Sequence, residues 1–168
     1  MIVADTSALI SLASCDTLDL FFDEFDVGTT KTVVEELEEL AEHEDRAAEN
    51  AKEILGQTGR FTIHDIEAQR FQSSRIDEGE GSCVKLSHKT EAKFLITDDL
   101  RALPELQTLT ETRVAISPIV LKSLVQRASL EREEAVQRLE EAAEKRDWLG
   151  APIYRQARKL FNRPDETD

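Results

Sequence analysis

The chain has 168 residues and a mass of 19.0 kDa, with 40% hydrophobic residues, enough for one domain with a substantial core and short for two. No run approaches the roughly 20 apolar residues that span a bilayer, and Met1-Ile2-Val3-Ala4-Asp5 carries no basic leader, so a soluble, unexported, cytoplasmic protein without a membrane partner is expected. Its 35 acidic and 21 basic residues give a net charge of -14, which excludes a general attraction for nucleic acid in ordinary buffer.

Ile2 to Ala4 is a short apolar run that ends at Asp5-Thr6-Ser7, after which Ala8, Leu9, Ile10, Leu12 and Ala13 continue at helical spacing. Asp16 or Thr17 is placed to cap a second helix through Leu18, Leu20, Phe21 and Phe22. Phe25 to Gly28 reads as a brief strand. From Thr32, a Thr-x-x-Glu capping box with Glu35 opens a helical pattern whose apolar face runs through Leu37, Leu40, Ala41, Ala48, Ala51 and Leu55, until Gly56 and Gly59 stop it.

Phe61 to His64 reads as a strand, Arg70 to Asp77 as a polar loop, and Ser82 to Ala92 as a helix with Cys83, Leu86 and Ser87 inward. Phe94-Leu95-Ile96-Thr97 is the clearest strand and ends at Asp98-Asp99. A short helix near Leu100 to Leu103 precedes a last strand at Val114 to Ile116, and Ser117-Pro118 supplies a cap and a first-turn proline for the next helix. Helical patterns follow from Leu130 to Trp148 and through Tyr154, Ala157, Leu160 and Phe161, and only the last five or so residues, after Arg163, read as disordered. The alternation of strand and helix predicts an α/β fold, a three-layer α/β/α arrangement around a mostly parallel sheet, with extra C-terminal helices packed on the same domain.

Four acids stand at strand ends or helix starts in this scheme: Asp5, Glu36, Glu80 and Asp98. In parallel α/β folds ligands bind beyond the carboxyl ends of the strands. Carboxylates brought together there repel one another unless a cation neutralises them, and oxygen-only donors suit Mg²⁺ or Mn²⁺ better than zinc. Taken singly, each has a plainer reading: Asp5 as a helix cap, Glu36 as part of a solvated acidic face, Glu80 as a first-turn acid favoured by the helix dipole. Cys15 and Cys83 lack metal-ligand spacing and read as reduced thiols, and His43, His64 and His88 show no ligand pattern. Arg70, Arg75, Lys85, Lys89 and Arg101 lie near the acids in sequence and are candidate substrate contacts.

Val3-Ala4-Asp5-Thr6-Ser7-Ala8-Leu9-Ile10, Val33-Val34-Glu35-Glu36-Leu37, Asp77-Glu78-Gly79-Glu80 and Leu95-Ile96-Thr97-Asp98-Asp99 together resemble the PIN-domain family of metal-dependent nucleases, in the family's order and over about residues 1 to 125. The resemblance implies cleavage of single-stranded or structured RNA with one or two Mg²⁺ or Mn²⁺ ions. It carries the acid roles to Asp5, Glu36, Glu80 and either Asp98 or Asp99, with Thr6, Ser7 and Thr97 in support; Thr6 or Ser7 would cap the first helix. It further implies a homodimer, and a toxin with an antitoxin partner or an RNA-processing factor. Residues 1–128 would form the nuclease domain and 129–168 a helical extension.

An acidic, lysine-poor surface also fits a halophilic, high-salt cytoplasm, where screening over about 3 Å at 1 M salt removes the repulsion of RNA. Two other functions are compatible with this pattern. One is a PIN-like module that binds RNA or protein without catalysis. The other is a phosphoacceptor domain with Asp5 as nucleophile, against which stands Ser7 where such sites place a second acid.

Overall fold

The computed structural model describes residues 1–67 and 75–162. Its centre is a five-stranded sheet of β1 (Ile2–Ala4), β2 (Val27–Thr30), β3 (Thr62–His64), β4 (Phe94–Ile96) and β5 (Arg113–Ala115), in the order β3-β2-β1-β4-β5. Every pairing is parallel, so all carboxyl ends lie along one edge. The connection from β1 runs to β2 on one side, while β4 occupies the other. The crevice between the ends of β1 and β4 is therefore the point where strand order reverses. The three-layer α/β architecture expected from the alternation is present.

Between the strands run α1 (Thr6–Ser14), α2 (Leu18–Glu24), α3 (Lys31–Ala41), α4 (Arg46–Leu55), α5 (Glu78–Thr90) and α6 (Leu103–Leu109). They are followed by α7 (Pro118–Gln126), α8 (Arg132–Lys145) and α9 (Pro152–Asn162). Val3, Leu9, Leu12, Phe21, Val33, Leu37, Leu86, Leu95 and Leu124 are among the buried side chains of one continuous core. α8 packs on α1 and α7, and α9 packs on α7 and α8. Trp148 is buried and seals the turn between these last two helices. Tyr154 donates from its hydroxyl to Glu140, and Arg158 pairs with the same carboxylate at 3.0 Å.

Several boundaries differ from the sequence expectations, each for a visible reason. β2 starts two residues later and runs through Thr29 and Thr30, polar residues that are fully buried because their hydroxyls have partners. Thr29 donates to the Ala4 carbonyl at 2.7 Å, and Thr30 lies 2.7 Å from Ser82 Oγ. Thr30, not Thr32, caps α3 by accepting from Val33 N–H at 3.2 Å, which places the capping box with Glu35 inside the helix.

The long helical pattern from Thr32 to Leu55 is two helices. Asp45 accepts from Ala48 N–H at 2.9 Å and starts α4 afresh. α5 begins at Glu78, earlier than expected, because Asp77 and Glu80 form a capping box. α6 lies further along than expected, and β5 one residue earlier. Ser117 precedes Pro118 at the start of α7 but makes no capping bond, since its hydroxyl is given to Asp98. Cys15 and Cys83 are free and buried. Most of the loop from Arg70 to Asp77, and the segment from Arg163 onward, lie outside the described residues. Among the described residues no helix is long and apolar enough to cross a membrane.

Candidate active site

β1 ends at Ala4, and the next residue turns the chain into α1. Asp5, 3% exposed, is the cap of that helix, as its plainer reading has it, and not Thr6 or Ser7 as the resemblance implies. Its Oδ1 accepts from Ala8 N–H at 3.0 Å and from the Ser7 hydroxyl at 2.8 Å. Ser7 Oγ in turn accepts from Asp98 N–H at 2.9 Å and lies 3.4 Å from Thr97 Oγ1, tying the end of β1 to the end of β4. Burial dominates the electrostatics and pushes the Asp5 carboxyl up to about 7, opposed by the hydroxyl and amide donors around it.

Glu36 is half-buried on the second turn of α3 and receives a hydrogen bond from the Thr6 hydroxyl. Gly79 approaches it from the first turn of α5. A Cβ built on Gly79 would stand 2.8 Å from Glu36 Cδ and closer still to Oε1, so only glycine leaves room for the carboxylate there. Its backbone N–H donates to Glu36, and burial raises the Glu36 pKa. Glu80 N–H donates to Asp77 Oδ1 at 2.8 Å while Glu80 Oε2 accepts from Asp77 N–H at 3.1 Å. Glu80 is 6% exposed, and burial, with the fields of Asp77, Asp5 and Asp99 behind it, pushes its carboxyl up to about 8.

A cavity of 280 Å³ at this edge of the sheet is lined by five carboxylates, those of Asp5, Glu36, Asp77, Glu80 and Asp99. Thr6, Ser7 and Arg146 share its wall. Asp98 does not. Its Oδ1 accepts from Ser117 N–H and its Oδ2 from the Ser117 hydroxyl, both at 2.7 Å, so it joins β4 to the start of α7. Asp99 takes the N–H groups of Arg101 at 2.9 Å and Ala102 at 3.4 Å on Oδ1. Thr97 is buried and its hydroxyl is hydrogen-bonded to Asp5. Of the two candidates for the fourth acid, the structure thus brings Asp99 to the cavity and turns Asp98 away from it.

Asp77 and Arg146 were not among the site residues read from the sequence. The Asp-x-x-Glu spacing of a capping box is a signal for Asp77, whereas Arg146 lies far along the chain at the end of α8 and no local pattern marks it. Of the basic residues near the motifs, Arg75 sits 3.8 Å from Glu105, Arg101 lies 3.8 Å from Asp99, and Lys85 and Lys89 face solvent; none lines the cavity. Arg70 lies outside the described residues. A larger, open groove of 1110 Å³, lined by Lys93, Thr110 and Arg113 among others, is at the opposite strand ends and holds none of the four acid motifs.

The fold, the switch-point crevice and the acids at its rim meet in one comparison: the family model of the PIN domain matches residues 1–163. The chain belongs to the PIN-domain family. PIN domains are usually nucleases and generally use divalent metal ions. The match takes in α8 and α9 as well as the motif-bearing segments. No curated protein matches the chain.

The donor set fits such an ion in kind. Among the described residues, five carboxylates and no thiolate or imidazole line the cavity, and burial with neighbouring acids disfavours the ionised forms of Asp5 and Glu80, which a divalent cation would reverse. In the conformation described, however, no three Asp, Glu, His or Cys among the described residues are spaced as a ready coordinating group. Glu36 and Glu80 are each engaged by a neighbour, through Thr6 and Asp77.

Proposed function

We propose that this PIN domain is a divalent-cation-dependent endoribonuclease that hydrolyses RNA phosphodiester bonds, with Asp5, Glu36, Glu80 and Asp99 as the residues that hold Mg²⁺ or Mn²⁺. The observation that carries this reading is the gathering of five carboxylates from four separate chain segments around one cavity at the strand-order reversal. Helix capping accounts for Asp5 and for Glu80 singly but not for setting them beside one another and further acids, because gathering like charges without a counter-ion costs stability. When bound, the cation would neutralise charge on the phosphodiester and make a bound water more acidic.

The remaining work falls to the chain itself. Thr6 orients Glu36, and the capping box with Asp77 orients Glu80. Ser7 fixes Asp5 against the end of β4, and Asp98, anchored on Ser117, holds the turn that presents Asp99. Glu36 and Glu80 would keep these hydrogen-bonded partners and offer their remaining lone pairs to the ion. We extend the proposal, on family resemblance alone, to a homodimeric toxin controlled by an antitoxin protein; the change of sequence pattern after the last strand further sets residues 129–168 apart as a helical extension of the nuclease domain 1–128. The second reading, a PIN fold that binds RNA or protein without catalysis, is favoured by the absence of a ready three-ligand group among the described residues.

The deciding experiment is cleavage of mixed RNA substrates in high-salt buffer with Mn²⁺, by wild type and by Asp5→Asn. Cleavage by wild type that is abolished by the substitution and by chelator supports the nuclease. Equal cleavage by both proteins defeats the assignment of the site, and inactivity of both favours the binding module.

A further inference from the structure

Among the described residues, Arg146 is the one basic side chain on the wall that carries the five carboxylates, and its placement is elaborate. α8 buries Ala135, Leu139, Ala142 and Ala143, and it is fastened to α1 and the turn beyond by three basic side chains. Arg138 donates to the Asp16 carbonyl at 2.6 Å, Lys145 to the Ser14 carbonyl at 3.1 Å, and Arg146 Nε to Ser11 Oγ at 3.1 Å. Ser11 is 1% exposed and donates to the Ser7 carbonyl, so the arginine rests on the same helix that Asp5 caps.

The helix is stopped at this point. Arg146 is the C-cap, Asp147 follows in the left-handed region at φ 55°, and Trp148 N–H returns to the Ala143 carbonyl at 2.8 Å with its indole buried. This is the six-to-one bond and apolar seal of a Schellman turn, here without glycine. The backbone of Arg146 is therefore fixed from both sides, and its side chain is half-buried.

What Arg146 does not do is equally informative. Among the described residues, no carboxylate lies within ion-pair distance of it, and its two Nη nitrogens carry no hydrogen bond. A cation whose task was to neutralise the cavity acids would contact one of them. Its field reaches Asp98, but the bond it makes is through Nε to a neutral hydroxyl, which aims the guanidinium and leaves the Nη donors open.

Resting on the nuclease reading above, we propose that Arg146 is the phosphate-binding residue of the site, presenting its Nη donors to a non-bridging oxygen of the scissile phosphodiester while the carboxylates take the metal. The guanidinium fork matches phosphate oxygens in pairs and is always charged. It also answers how a chain of net charge -14 holds a polyanion at the cleavage point: by one fixed cation beside the metal rather than by a basic surface.

The test uses Arg146→Met and Arg146→Lys with two readouts, stabilisation by inorganic phosphate in the presence of Mg²⁺ and kcat/KM on RNA. The expected result is that phosphate raises the melting temperature of wild type but not of Arg146→Met, with Arg146→Lys between them. RNA cleavage by Arg146→Met should fall roughly 100-fold, the scale of losing one transition-state donor, while the Mg²⁺-dependent stabilisation persists or grows, since a charge that opposes the cation has been removed. Equal phosphate stabilisation in wild type and Arg146→Met, no phosphate effect in either, or joint loss of the Mg²⁺ effect would overturn the proposal. A wild type that binds phosphate through Arg146 yet cleaves no RNA would sink the nuclease reading and the contact with a scissile phosphodiester, and would leave standing only that Arg146 binds phosphate.

Discussion

Gly79 faces the Glu36 carboxylate so closely that a single added methyl would collide with it: the Cβ would lie 2.8 Å from Glu36 Cδ. The helix of one and the helix of the other meet at this point, and the contact fixes where Glu36 presents its oxygens.

Gly79→Ala should therefore separate stability from function. Alanine gains up to about 1 kcal/mol of helix propensity over glycine, and the atom it meets is the end of a flexible side chain, so the melting temperature is expected to move by no more than a few degrees. Displacement of Glu36 should weaken Mn²⁺-dependent stabilisation and RNA cleavage together, by about tenfold or more in activity, given the cost of small misplacements in a site. Thermal melts with and without Mn²⁺, beside a cleavage assay, read both effects.

Asp5→Asn is expected to inactivate and yet stabilise the metal-free protein at alkaline pH. Asparagine retains an acceptor for Ala8 N–H and Ser7, while it removes a charge whose pKa burial lifts from 3.8 to about 7. A shift of that size corresponds to at most about 4 kcal/mol. Denaturant unfolding in chelator should show the gain at pH 8 and little of it at pH 5, where the wild-type carboxyl is already protonated.

The pH dependence of the whole metal-free domain follows the same sign. Unfolded, Asp5 and Glu80 lose their protons near 4; folded, Asp5 does so at about 7 and Glu80 at about 8. Between those limits the folded state holds more protons, so stability falls as pH rises from about 4 to about 8. A divalent cation competes for the ionised forms, and its stabilising effect should grow over the upper part of that window. Melting temperatures across pH 5 to 9, with chelator and with Mn²⁺, should diverge in this direction; parallel curves would count against a shared carboxylate site.

Adjacent acids should respond differently to substitution. Asp98→Ala leaves the Ser117 N–H and hydroxyl without their acceptor and is expected to cost about 1–3 kcal/mol of stability. Asp99→Asn keeps an oxygen for Arg101 N–H and should cost little stability but reduce Mn²⁺ affinity. Urea unfolding and Mn²⁺ titration of the two variants distinguish the assignments.

Much of this arrangement was legible because its determinants are local. Apolar triplets ending in acids marked β1 and β4, and parallel pairing then carried Asp5 and the Asp98-Asp99 pair to one edge. Glu36 was legible in type though not in cap, since Thr30 and Thr32 both satisfy the cap rule and only the burial of Thr30 against Ser82 selects between them. The choice of Asp99 over Asp98 for the cavity depends on Ser117, a partner 19 residues away that no strand pattern includes. The break between α3 and α4 was hidden by an apolar periodicity that both helices share. Arg146 was invisible for the strongest reason: its place is set by how α8 docks on α1, through side chains that pair with backbone carbonyls and a buried serine.

The most direct measurement is calorimetric titration of Mn²⁺ into the metal-free protein at pH 8, in high salt, for wild type and Glu80→Gln. Wild type is expected to bind saturably, with proton release because the raised carboxyls must ionise, and the variant at least tenfold more weakly. No binding by wild type, or equal affinity in the two proteins, would contradict a shared carboxylate site.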